Sequence, residues 1–338
     1  MSNSLEAVRA GDRLALARLL TQVENQTPAG RQALNDLFPY TGRAHLVGVT
    51  GSPGTGKSSL VNRLAYAYRH PPQGQLPRRV AVVAVDPSSP FTGGAVLGDR
   101  VRMRDLTGDP GVFIRSMAAR GALGGLARST ADVVQVLDAA GFELILIETV
   151  GAGQSEVDIA RLAHTTLVVE SPGMGDDIQA IKAGILEIAD VLVVNKADRP
   201  GVDHTERALR AMLELAHPAR RQFAGHHGAA MDATATAVDE TPAEELWLPP
   251  VLRLIATTGV GVAELAQAVD QHADYLRRSG EWKRREAARL QAELEMLIQA
   301  TLMQRWRQTL SDGVYEEVFA RLAERQLSPY EALERLIQ

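Results

Sequence analysis

Eight consecutive residues, Gly51-Ser52-Pro53-Gly54-Thr55-Gly56-Lys57-Ser58, carry the types and spacing of a G-x-x-x-x-G-K-[ST] loop. Glycines at these places let backbone N–H groups turn inward around a polyphosphate. A helix that starts at the lysine adds the positive end of its dipole. Lys57 is then expected to bridge the outer phosphates and the Ser58 hydroxyl to ligate Mg²⁺, with Ser59 next along the helix start. The flanks suit this chemistry. Residues 45–49 read as a short buried strand, and residues 59–66 read as a helix with Leu60, Leu64 and Ala67 on one face.

Acidic residues follow at the ends of later apolar runs. Asp86 closes the run 79–85 and is followed by Pro87-Ser88-Ser89-Pro90. Asp99 sits in the glycine-rich, charged stretch 93–103, which suits a loop carrying a carboxylate towards a metal. Glu148 ends the run 144–147, and Gly151 comes three positions later, where its N–H can bond a terminal phosphate and lose that bond on hydrolysis. A fourth motif names the base. Asn195-Lys196-Ala197-Asp198 after an apolar strand is the guanine-reading Asn-Lys-x-Asp of P-loop GTPases. The Asp198 carboxylate accepts from the guanine N1–H and exocyclic amine, a donor pair adenine lacks. Asn195 is expected to reach N7 and O6, and Lys196 to lay its aliphatic stem along the base. Ile255-Ala256-Thr257, at the next strand end, is the expected further backbone contact to the base. The place directly after Gly151, where small regulatory GTPases carry a water-orienting glutamine, holds Ala152, with Gln154 two positions on. Intrinsic hydrolysis is therefore expected to be slow, as in a switch that a partner completes.

Positioning these residues takes an alternation of short apolar strands and amphipathic helices. Candidate strands lie at 45–49, 79–85, 112–114, 142–148, 165–169, 190–194 and 251–256. Runs such as 80–85 and 144–147 are apolar on both faces, as in a sheet covered by helices on both sides. The fold class expected is α/β: a P-loop, doubly wound, mainly parallel sheet with a helical N-terminal preface and a helical C-terminal extension. The boundaries are 1–42 for the preface, 43–265 for the nucleotide domain and 266–338 for the extension. Within the preface, helices are expected on either side of Gly11-Asp12 and between Pro28 and Pro39. In the extension, 282–310 lacks Gly and Pro and repeats Leu290, Leu294, Leu297, Ile298 and Leu302 at helical spacing, an apolar stripe that needs cover. Ser328-Pro329-Tyr330-Glu331 reads as a capping box opening a last helix. Residues 222–245 lack periodicity and read as a surface insertion.

Composition fits this reading and closes others. The 338 residues are 45% hydrophobic and 23% charged with a net charge of −5, which implies no general attraction to nucleic acid. Cysteine is absent, so disulfides, thiolate metal sites and cysteine catalysis are excluded. No run approaches a membrane span, and a cytoplasmic protein is expected.

Together the phosphate loop, Asp86-Pro87-Ser88-Ser89, Leu97-Gly98-Asp99, Glu148 to Glu156, Pro172 to Asp177 and Asn195 to Asp198 resemble the MeaB/ArgK family. These are GTPases associated with adenosylcobalamin-dependent acyl-CoA mutases such as methylmalonyl-CoA mutase. Tyr40 to His45, Trp247 to Pro250 and Tyr275 to Gly280 are similar to it as well, so the resemblance covers most of the chain. It implies GTP and GDP as ligands, and a Mg²⁺ ion surrounded by Ser58, Asp86, Asp99 and Glu148. It implies a homodimer built through the C-terminal extension, and a chaperone that gates cobalamin delivery and protects or reactivates the mutase. The loop 173–182 would be a switch that senses the mutase, bringing Lys182 towards the phosphates. Two other readings compete. A nickel-type metal-insertion GTPase would want cysteine or histidine-rich sites, and only His226-His227 is at hand. A kinase or transport-associated P-loop NTPase conflicts with the guanine motif and shows no acceptor site.

Overall fold

The structure, a computed structural model, describes residues 2–87, 103–106, 108–119, 125–149, 155–173, 188–216, 246–311 and 313–337. Three helices come first: α1 (Ser2–Arg9), α2 (Arg13–Glu24) and α3 (Pro28–Leu37). Asp12 opens α2 by accepting from the N–H groups of Leu14 and Ala15. Thr27 opens α3 by accepting from Gly30, with Pro28 at the first helical position.

Seven strands follow: β1 (His45–Thr50), β2 (Val80–Pro87), β3 (Val112–Ala119), β4 (Leu144–Thr149), β5 (Thr165–Glu170), β6 (Val191–Val194) and β7 (Val251–Arg253). They form one sheet in the order β3-β2-β4-β1-β5-β6-β7, with every pairing parallel. The crossovers carry α4 (Lys57–Arg69), α5 (Gly125–Ala139), α6 (Ser155–Leu162) and α7 (Val202–Ala216). After β7 comes α8 (Val262–Ser279). The strand ends shift from the sequence pattern by up to two residues in most strands, and by more in two. The third strand runs to Ala119 because it pairs along its whole length with β2. The last stops at Arg253, since the chain turns back there and Ile255 bridges to Val260.

Each strand feeds two cores, as side-chain alternation requires. On one face Leu46, Ala81, Val83, Ile145 and Ile147 pack under α5, α6 and the preface, which contributes Leu16, Leu20, Val23 and Leu37. On the other, Val47, Val49, Val82, Leu144 and Leu146 meet Leu60, Val61 and Leu64 of α4 and Leu265 and Val269 of α8. Leu209 and Leu213 of α7 cover Val168, Leu192 and Val194 towards the β7 edge.

The chain forms two compact units, 1–289 and 290–338. The expected 265/266 boundary lies inside α8, and the division between the units falls within α9 (Glu281–Thr309). In the second unit α10 (Val314–Ala323) and α11 (Pro329–Ile337) close a small core of Val318, Leu327 and Ala332. The Trp306 indole N–H donates to Leu336 O at 2.7 Å. The capping box forms at α11: Glu331 N donates to Ser328 Oγ at 3.2 Å, and Ser328 N donates to Glu331 Oε2 at 2.7 Å. The stretch 222–245, with His226 and His227, lies outside the described residues. Among the described residues no helix is long and apolar enough to cross a membrane.

Candidate functional site

The phosphate loop runs from the end of β1 to the start of α4, near where the strand order departs from chain order, with β4 and β5 on either side of β1. Ligands of open parallel sheets bind outside the carboxyl ends of such strands. Two glycines are dictated by their surroundings. Gly51 has φ 136°, and a Cβ there would run into the Val169 carbonyl. Gly56 has φ 95°, and a Cβ would meet the Asn195 side-chain nitrogen. No side chain caps the first turn of α4, which leaves its amides facing the loop. Lys57 is only 5% exposed, and its ammonium donates to Gly51 O at 2.8 Å and Ser52 O at 2.9 Å. Those two bonds fold the long side chain back over the loop and fix where its charge sits.

Glu148 is brought to the same place by register, because Val49 and Glu148 are partners across β1 and β4. The Ser58 hydroxyl donates to Glu148 Oε1 at 2.5 Å, a charge-assisted contact with the carboxylate 5% exposed. Serine and glutamate oxygens are the hard donors Mg²⁺ prefers, so the pair fits that ion. Asp86 is the penultimate residue of β2, one position beyond the Val85–Thr149 pair, so its backbone ends at the same edge; its side chain lies outside the described residues. Asp99, Gly151 and Lys182 lie outside them too, as do Ala152 and Gln154. Among the described residues no three carboxylates or histidines are gathered to hold a metal.

The base motif closes against the phosphate loop through Asn195, which is 2% exposed. Its Nδ2 donates to Thr55 O at 2.7 Å, while its Oδ1 accepts from Lys196 N at 2.8 Å and Ala256 N at 3.0 Å. These bonds join three loops and use one of the two Nδ2 N–H donors; among the described residues the other has no partner, and it is the one that could meet the guanine N7 or O6. The physical reason for the bonds is depth: the side chain lies beneath the loops, where an amide with no partner at all would be costly. Lys196 holds φ 56° and donates from Nζ to Gly54 O at 2.6 Å, so its stem lies against the phosphate loop. Asp198 is exposed beside it. Ile255, Ala256 and Thr257 form the neighbouring turn, tied to the motif by Ala197 N donating to Leu254 O at 3.1 Å.

Two residues that sequence reasoning missed belong to this assembly. Glu170, buried at the end of β5, accepts from Ser52 Oγ at 3.4 Å, and its carbonyl accepts Asn195 N at 2.8 Å. Arg63, on α4, donates to Thr257 O at 3.0 Å. Glu170 offered a signal, since it is a carboxylate at the end of an apolar run, as Glu148 is. Arg63 offered none beyond its place on the helix.

Comparison with known proteins agrees with this arrangement. The model of the family described as methylmalonyl-CoA mutase-associated GTPase MeaB matches residues 16–311. A Pyrococcus abyssi protein named as a candidate GTPase is 41% identical over 334 residues, covering 99% of this chain and 95% of its own length. The Escherichia coli GTPase ArgK is 36% identical over 307 residues, covering 89% of this chain and 83% of its own length. A solved structure titled LAO/AO transport system kinase superposes with a TM-score of 0.67 at 25% identity, over 99% of this chain and 95% of that one. With its phosphate loop, Ser58–Glu148 pair and guanine motif assembled on a parallel sheet, the chain belongs to the MeaB family of P-loop GTPases.

Proposed function

We propose that this GTPase is a chaperone of an adenosylcobalamin-dependent acyl-CoA mutase, gating cobalamin loading and protecting or reactivating that enzyme. The observation that carries the reading is the family match, whose description ties the GTPase to methylmalonyl-CoA mutase over residues 16–311. The chemistry at the site is phosphoryl transfer from GTP to water, yielding GDP and phosphate. The loop 51–56 and the amides of Lys57, Ser58 and Ser59 cradle the polyphosphate. Lys57, aimed by the carbonyls of Gly51 and Ser52, offsets charge on the outer phosphates. Mg²⁺, when bound, would supply charge neutralisation on the polyphosphate. Ser58 and Glu148 would hold it, joined by Asp86 and Asp99. Asp198 reads the guanine N1–H and amine, and Lys196 and the 255–257 turn line the base. Gly151 senses the γ-phosphate, and Lys182 completes the site when the mutase docks.

On this reading the protein is a cytoplasmic homodimer joined through its C-terminal extension. The test is GTP turnover with and without the cognate mutase, together with cobalamin loading under GTP and under a non-hydrolysable analogue. Mutase is expected to accelerate turnover, and the analogue to change loading. If neither protein alters the other's behaviour, the chaperone reading fails and the GTPase stands alone.

A further inference from the structure

At the opposite edge of the sheet, where β1, β2 and β4 begin, the chain gathers three arginines around a cavity of about 300 Å³. Arg43 precedes β1, Arg79 precedes β2, and Arg9 reaches in from the last turn of α1. Among the described residues none of the three guanidinium groups pairs with a carboxylate. Two are held in place. Arg9 lies over the Tyr40 ring at 3.7 Å, and Arg79 lies over Phe142 at 4.7 Å while donating to Ala140 O at 3.0 Å. Arg43 is exposed, and among the described residues its side chain makes no hydrogen bond.

The carboxylates that line the same cavity are already engaged. Asp138 accepts from the backbone N–H groups of Gly42 at 2.6 Å and Ala44 at 3.0 Å, with Arg43 N at 3.3 Å. Glu143 accepts from the backbone N–H of Arg79 at 2.9 Å. Backbone donors thus engage both carboxylates, and neither is bonded to a guanidinium of the three arginines that line the cavity.

We propose that this cavity is a second anion site, distinct from the nucleotide site, that takes a small phosphate-bearing ligand. Guanidinium forks match phosphate oxygens in pairs, and groups already stacked on aromatic rings lose little freedom on binding. The volume sits at the low end for ligand pockets, so it admits a phosphate with at most a small organic group. The six residues of β1 separate it from the phosphate loop by about 20 Å, so the nucleotide's own phosphates do not reach it. A ligand here would bind α1 to the sheet edge.

The experiment uses full-length protein saturated with GDP and Mg²⁺, so that the phosphate loop is filled. Inorganic phosphate and ribose 5-phosphate are titrated separately by calorimetry, against chloride at matched ionic strength. One saturable event per chain is expected. Tighter binding of ribose 5-phosphate identifies a phosphate ester as the ligand class, and equal binding identifies the free anion; either supports the site. Arg43→Gln is expected to weaken binding by about tenfold or more, the usual cost of one charge-assisted hydrogen bond, with an unchanged melting temperature when no ligand is added. Arg9→Gln serves as a second variant. No saturable binding beyond that of chloride, or wild-type affinity in both variants, overturns the proposal.

Discussion

Asn195 illustrates how a side chain can serve a ligand site from beneath it. Its amide holds Thr55 of the phosphate loop, and its carbonyl oxygen holds Ala256 of the base turn. Replacing it with alanine leaves a buried carbonyl and a buried N–H without partners, which costs about 1–3 kcal/mol for each group. Asn195→Ala is therefore expected to lower the unfolding free energy by a few kcal/mol and to weaken GTP binding, because the two halves of the site lose their shared tie. Denaturant titration and nucleotide affinity measured on the same preparation check this; wild-type values for both would refute it. Asp198 lies at the other extreme, exposed and free to meet a base. A site built to accept two guanine donors rejects a base that lacks them by a large factor, so GTP should be preferred over ATP by at least about 100-fold. Asp198→Asn should weaken GTP and admit xanthosine triphosphate, whose C2 oxygen accepts where guanine donates. Equal wild-type affinity for ATP and GTP would sink the guanine assignment.

At the scale of elements, the sheet's lower edge holds the root of α9 through a buried polar layer. His164 Nδ1 accepts from Leu46 N at 3.1 Å, so its proton sits on Nε2, 3.1 Å from Glu286 Oε2. Trp282 stacks on the same ring at 3.9 Å. Arg285 grips Asp190 with two bonds of 2.9 Å, and Arg289 holds Glu286 at 2.6 Å. Nearby, His45 and His272 share the Thr165 hydroxyl at 2.7 and 2.8 Å. Burial pushes His164 below the ordinary histidine value of 6.5, and Arg285 and Arg289 add to this, although Glu286 opposes it. Burial, with His164, His272, Arg277 and Arg78 around it, pushes His45 lower still. Burial alone would raise Glu286, but its bonds to His164 and Arg289 outweigh that and hold it at about 2.

A histidine whose pKa is depressed on folding binds protons more readily when unfolded, so its stabilising share is full above pH 6.5 and drains away as pH falls below that value. Glu286 keeps its share until pH drops below 4.5 towards 2. The melting temperature should therefore fall from about pH 6.5 downwards. His164→Gln should flatten the slope, because one titrating group is gone. A wild-type melting temperature that stays level from about pH 7.5 to about pH 5 would contradict this.

None of this layer was legible in the sequence, because His45, His164 and His272 are distant in the chain and only the parallel topology makes them neighbours. The three-arginine cavity was hidden for the same reason. The strands themselves were legible. Runs such as 144–147 are apolar on both faces, which only a doubly covered sheet accommodates, and their ends then marked Glu148 and Asn195. The phosphate loop and guanine motif could be read because their chemistry is local, set by spacing along one turn. What Asn195 does with its amide was not local, and the structure was needed to assign it.

The whole molecule raises the question of what covers the C-terminal stripe. Leu294, Ile298 and Leu302 stand at four-residue spacing on α9 with exposures of 58%, 48% and 59%, while Phe319, Leu333 and Ile337 of the same unit are 57%, 50% and 66% exposed. Scattered apolar residues on a surface need no account, but a stripe along one helix face points to an interface. A second copy of the chain is the proposed cover, since a symmetric pairing lets one stripe meet its own equivalent. Sedimentation or light scattering should find full-length protein as a dimer at micromolar concentration. Leu294→Lys combined with Ile298→Lys should yield a monomer whose unassisted GTP turnover is unchanged, because unit 1–289 holds the phosphate loop, Glu148 and the guanine motif within its own contacts. Truncation should give the same result if made after Arg289, where the compact unit ends. Truncation after Leu265 should instead unfold the domain, since it removes Val269, Ala273 and Leu276, at most 3% exposed, and with them His272 and Arg285. A wild-type protein that sediments as a monomer, or a lysine variant that remains dimeric, would show that something other than this stripe joins the chains.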